Sequence, residues 1–270
     1  MSESHRGLFI VFDGPNGSGK STQIALTKEK LEAAGFSVLV TREPGGSPGA
    51  EEVRNLVLNG TPGRWDPISE VLLFSAARRN HVETVIKPAL DAGKIVLCDR
   101  FVMSTHAYQG GGHGVPAAVI YGATRFAIGD FEPNLTLVFC INTELGLQRA
   151  SQRRQGAEDR FTVLELAFHE RVNDTFLLML NPPVSDDGNW ILPINVPSQK
   201  DAETVNKTVI SSIAWYFDVK QHLDLGNKHW SGRIPIDWNV LGFPHLVGIN
   251  LLSDNISRTV VTDEHGQENI

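Results

Sequence analysis

A chain of 270 residues that is 41% hydrophobic is long enough to bury a full core, as one large domain or as one domain with an appendage. Its formal net charge of -7 argues against a general nucleic-acid binder, whose surface is normally basic, and no apolar run approaches the ~18 residues that a membrane span needs. Met1 to Gly7 is polar, and the only cysteines, Cys98 and Cys140, sit inside apolar runs as reduced core thiols would, so a cytoplasmic protein with no membrane and no nucleic-acid partner is expected.

Leu8 to Asp13 reads as a buried strand. Directly after it come Gly14, Pro15, Asn16, Gly17, Ser18, Gly19, Lys20 and Ser21, spaced G-x-x-x-x-G-K-S, and the amphipathic stretch from Thr22 to Ala34 continues as a helix. Glycines let backbone N–H groups close around an anion, and the helix directs its positive N-terminal end at the same spot. Lys20 is expected to reach the β and γ phosphates of a nucleotide, and the Ser21 hydroxyl to ligate Mg²⁺. Gly14 to Thr22 is therefore the expected ATP-binding segment.

Further strands are predicted near Ser37 to Thr41, Lys94 to Asp99, Leu135 to Ile141 and Trp190 to Val196, each followed by helical material. Five βα units over residues 1–217 imply an α/β fold of the P-loop NTPase kind, a five-stranded parallel sheet with helices on both faces. Gly35 suits the end of the first helix, and Pro88 should kink or break the helical path of the third unit. Gly110, Gly111 and Gly112 read as a flexible loop. Residues 218–270 mix short apolar stretches with Gly, Pro, Asn and Trp, carry no motif, and form an extension whose last residues are expected to be disordered.

The run Ile95 to Cys98 ends in Asp99 and Arg100 and resembles a Walker B strand. Ligands of open parallel sheets bind at the carboxyl ends of strands, so Asp99 can serve Mg²⁺ and Arg100 a transferring phosphoryl group; alternatively the two form a plain ion pair at a strand end. Phe74 and Arg78 are four apart on a predicted helix and share a face, so the ring can stack on a base while the guanidinium donates to a carbonyl on its edge. Phe74 also suits plain core.

Thr41 to Gly46 (TREPGG), Leu73 to Arg78 (LFSAAR), Asp99-Arg100 with Ser104 to Gly110, and Asp159-Arg160-Phe161 with Phe168 to Arg171 together resemble the bacterial thymidylate kinase family, over residues 8–217. The resemblance implies phosphoryl transfer from ATP to dTMP with Mg²⁺, in a homodimer. It further implies that Arg42 and Arg100 hold the acceptor phosphate, that Thr105 meets the pyrimidine N3 side, that Tyr108 crowds the sugar 2′ position, and that Gln109 contacts the base or sugar. Residues 149–162 resemble the family's mobile lid, which supplies an arginine when the P-loop has none; Arg153 and Arg160 are the expected catalytic pair there, with Lys20 and Arg100. A solvated basic helix face is the other reading of that stretch. Asn16 stands where the family usually carries an acid, as do Thr162 and Leu164. Two alternatives follow: a kinase of this fold with a shifted pyrimidine acceptor, or a nucleotide-binding regulatory protein.

Overall fold

The computed structural model describes residues 7–61, 63–152, 161, 164–180, 190–195 and 201–224, all within one of the two units into which the chain divides, residues 1–235. The predicted lid residues Arg153, Arg154 and Arg160, Thr162, and most of the C-terminal extension lie outside the described residues.

Among the described residues five strands, β1 (Leu8–Asp13), β2 (Val38–Arg42), β3 (Ile95–Asp99), β4 (Leu135–Cys140) and β5 (Trp190–Asn195), form one sheet in the order β2-β3-β1-β4-β5. Every pairing is parallel, with Leu8 opposite Ile95 and Ile10 opposite Leu135. The central strand β1 is buried at every position, which is why its sequence is a continuous apolar run rather than an alternating one. Pro193 stands in the edge strand β5, where a missing N–H costs least.

The helices are α1 (Lys20–Ala33), α2 (Pro48–Leu58), α3 (Pro67–His81), α4 (Lys87–Asp91), α5 (Val102–Thr105), α6 (Ala117–Ile128), α7 (Thr143–Gln152), α8 (Leu166–Leu178) and α9 (Ala202–Asp224). The β1-to-β2 connection runs toward one edge of the sheet while the others run toward the opposite edge, so right-handed crossovers place α1 on one face and the helices between β2 and β5 on the other. α9 returns to pack on α1. Helices thus cover both faces of the sheet. No helix among the described residues is long and apolar enough to cross a membrane.

Two expectations change. Pro88 does not break the path, because α3 passes through a π-helical turn, Val82–Ile86, into α4. The wider turn lets Lys87 N–H donate to Val82 O, and Pro88 falls in the first turn of α4, where its missing N–H is tolerated. The glycine triplet is no flexible loop either: His106–Gly112 is a second π-helical segment wedged against α8. A Cβ on Gly111 would stand 1.9 Å from Thr175 Oγ1, and one on Gly112 2.4 Å from the Phe168 ring, so the glycines serve close packing.

Candidate active site

The P-loop joins β1 to α1. Its glycines are required by contact as well as by conformation: Gly17 has φ of 75°, and a Cβ there would lie 1.9 Å from Gly146 O of α7. Lys20, 6% exposed, folds back over the loop and donates to Gly14 O at 3.0 Å, Pro15 O at 2.8 Å and Ser18 Oγ at 3.2 Å. Ser21 Oγ donates to Asp99 Oδ2 at 2.9 Å, so the motif hydroxyl and the β3 carboxylate, 78 residues apart in the chain, share one point beside the loop. Two hard oxygen donors are what a Mg²⁺ ion accepts.

Arg100 leaves β3 with φ of 74°, a left-handed conformation that costs a non-glycine residue about 1 kcal/mol or more. Its surroundings hold it there. Nη1 donates to Gly14 O and to Ser104 Oγ, both at 2.9 Å, Nη2 donates to Asn16 Oδ1 at 2.7 Å and reaches Tyr108 OH at 3.4 Å, and the guanidinium lies over the Tyr108 ring at 5.2 Å. Beneath it is Asp13, wholly buried, whose carboxylate accepts from Gly14 N, Ser104 N, Ser104 Oγ and Phe101 N. Burial pushes this carboxyl above its usual range, opposed by Arg100 and by the Ser104 hydrogen bond. The motif reading passes over Asp13; its signal is an acid closing an apolar strand immediately before the first P-loop glycine.

An open cleft is lined by Asn16, Arg100, Ser104, Thr105, Tyr108 and Gln109, by Phe74 and Arg78 of α3, and by Phe161. The Phe74 and Phe161 rings lie 6.3 Å apart and tilted by 38°. Arg78, 3% exposed, is locked from below: Nε donates to Glu43 Oε2 at 2.7 Å, and Nη2 to Thr105 Oγ1 at 3.0 Å and Phe101 O at 3.3 Å. His81 closes the chain, its Nδ1 3.2 Å from Glu43 Oε1 and its Nε2 2.7 Å from Thr41 Oγ1.

Of the predicted acceptor residues, Asn16, Phe74, Arg78, Arg100, Thr105, Tyr108 and Gln109 meet in this cleft. Arg42 does not line it. Its side chain, 52% exposed, pairs instead with both carboxylate oxygens of Glu51 at 3.0 Å. Arg54 of α2, which motif spacing does not single out, lines the cleft and donates to Pro44 O at 2.7 Å. Thr22 is exposed on the first turn of α1 and does not line the cleft.

His106 begins the π-helical segment behind these residues, its imidazole held below 6.5 by burial and then by the Arg78 charge. The unfolded chain takes up the proton at about 6.5 while the folded one resists it, so stability falls as pH drops through that value and levels once pH is below the folded pKa. His106→Gln is expected to flatten the fall of Tm between about pH 7 and pH 5, read by circular dichroism. An unchanged slope would remove His106 as the cause.

A P-loop at the end of a central parallel strand, a β3 carboxylate on its serine, and an arginine-lined cleft leading away from it define a P-loop phosphotransferase of the nucleoside monophosphate kinase kind. The sequence model of the thymidylate kinase family matches residues 12–186. The chain is 51% identical over 172 residues to "Thymidylate kinase" of Caulobacter vibrioides, covering 64% of this chain and 82% of that protein. It is 51% identical over 176 residues to that of Nitrobacter winogradskyi, covering 65% and 76%. The crystal structure of thymidylate kinase from Ehrlichia chaffeensis superposes with a TM-score of 0.60 at 33% identity, over 77% of this chain and 99% of that one. The chain belongs to the thymidylate kinase family.

Proposed function

We propose that this protein transfers the terminal phosphoryl group of ATP to dTMP, giving dTDP and ADP. The carrying observation is that a single cleft joins a phosphate end, Arg100 against the P-loop, to a base-sized chamber of Phe74, Phe161, Arg78 and Thr105. Lys20 holds the donor phosphates, Arg100 spans donor and acceptor, Phe74 stacks on the base, and Tyr108 limits the sugar. Mg²⁺, held through Ser21 and Asp99, neutralises phosphate charge when bound. Arg153 and Arg160 are assigned the lid's share of that neutralisation, and closure excludes water. Residues 218–270 are read as an extension outside this chemistry.

Support for a homodimer comes from an apolar face on α3 and α6, where Ile68 is 50%, Leu72 59%, Tyr121 60% and Phe126 95% exposed. The free thiols of Cys98 and Cys140 suit a reducing cytoplasmic setting.

A second reading, a related pyrimidine nucleotide as acceptor, is favoured by Asn16, whose Oδ1 accepts from Arg100 where an acid would make an ion pair. ADP release measured across dTMP, dUMP, dCMP and dGMP, with and without EDTA, decides between them. dTMP is expected to give the highest kcat/KM, lost on chelation; ATP binding without turnover on any acceptor would sink both. Asn16→Asp is expected to raise dTMP turnover severalfold by adding a charge to the Arg100 contact. If dTMP is not the acceptor, that variant leaves dTMP turnover flat.

A further inference from the structure

The base end of the cleft contains an amide whose orientation is dictated from outside the cleft. Gln109 lines the cleft and is 1% exposed, and its Nε2 donates to Glu70 Oε2 at 3.0 Å. Glu70, also 1% exposed, belongs to the same helical face as Phe74 and Arg78, at intervals of four residues on α3. A carboxylate only accepts hydrogen bonds, so it must face the NH₂ end of the amide; the reversed amide would set two buried oxygens about 3 Å apart. His113 Nε2, 3.9 Å from the same Glu70 oxygen, adds to that preference whenever it is protonated. The backbone is fixed too, since Gln109 O accepts from Val115 N at 2.9 Å and Gly111 and Gly112 are packed against α8.

With Nε2 committed to Glu70, Gln109 has its carbonyl oxygen left for a ligand. Nearby, Arg78 spends Nε and Nη2 on Glu43, Phe101 O and Thr105, while its buried Nη1 has no partner. Both residues line the cleft, so an acceptor from Gln109 and the unused donor of Arg78 are what they have left for a ligand. A pyrimidine with a ring N–H next to a carbonyl matches that pattern; a 4-aminopyrimidine, with a bare ring nitrogen next to an amino group, reverses it at both points.

We propose that Glu70, outside the cleft lining, is a positioning residue that selects a 2,4-dioxopyrimidine over a 4-aminopyrimidine by fixing the amide of Gln109. The proposal rests on the acceptor-site reading above and adds to it the origin of base discrimination. In Glu70→Gln the new carboxamide can donate as well as accept, so the Gln109 amide is free to turn over.

The test is the ratio of kcat/KM for dTMP to that for dCMP. In Glu70→Gln it is expected to fall at least about tenfold, carried by the two KM values, with the KM for ATP unchanged. A merely structural role would weaken both nucleotides together, and an unchanged ratio in the folded variant overturns the proposal. In the wild-type protein, N3-methyl-dTMP is expected to bind at least about tenfold more weakly than dTMP by calorimetry, and equal binding overturns the proposal whether or not the variant folds. Wild-type turnover of dGMP and of no pyrimidine would overturn the acceptor reading itself. Wild-type preference for dTMP with a ratio insensitive to Glu70 overturns the positioning role alone.

Discussion

Lys20→Ala is expected to lower kcat by about 10³-fold or more while leaving the melting temperature within several degrees of wild type. The ammonium is held at the loop by two backbone carbonyls and the Ser18 hydroxyl, which take its three donors, so it exchanges those bonds for phosphate oxygens when the nucleotide binds and its charge then meets the charge that develops on the transferring group. Alanine removes that charge yet suits the first turn of α1, and the lost hydrogen bonds cost the fold about 1–3 kcal/mol, with Gly14 O still accepting from Arg100. Activity is read by coupled ADP release and folding by circular dichroism. Turnover near the wild-type value would refute the donor-site assignment.

Arg100→Lys comes second, with kcat/KM for dTMP expected to fall about 10²- to 10³-fold at nearly unchanged stability. The substitution separates charge from geometry. Lysine keeps the positive charge above buried Asp13 and pays the same left-handed backbone cost at φ of 74°, so the fold loses little. What it cannot keep is the fork. One guanidinium bridges Gly14 O of the P-loop, Asn16, Ser104 and Tyr108, tying the phosphate end of the cleft to its sugar side, and a single ammonium cannot span those positions at once. Because the loss is one of alignment, it should appear in kcat as well as in KM. A variant altered only in KM would mean that Arg100 merely attracts the acceptor.

Why Asp13 and Glu70 were not legible while Lys20 and Phe74 were comes down to the range of the signal. Strand positions followed from apolar runs within a residue or two, because a strand buried on both faces leaves no room for polar alternation. The P-loop and the Phe74 to Arg78 spacing are local patterns, set by turn and helix geometry over fewer than ten residues. Pro88 and the glycine triplet went the other way: each reads locally as a break, and each is absorbed by a π-helical segment that neighbouring packing stabilises. Arg42 and Arg54 show the same limit, since both are arginines near the TREPGG segment and only packing of α2 decides which of them lines the cleft.

By itself, then, the chain of residues determined the α/β class, the strand order of appearance, the donor loop and the family, because each depends on periodicity or on contiguous motifs. Which residues share the acceptor cleft was decided only in three dimensions, where β1, β3, α3 and the π-helical segment converge from positions up to about a hundred residues apart. Hydrogen-bond direction is the sharpest case. Nothing in the sequence says that Glu70 faces Gln109 or that Asp13 lies beneath Arg100, since a buried carboxylate takes whatever donors the packing brings to it, and those donors then fix what the cleft presents.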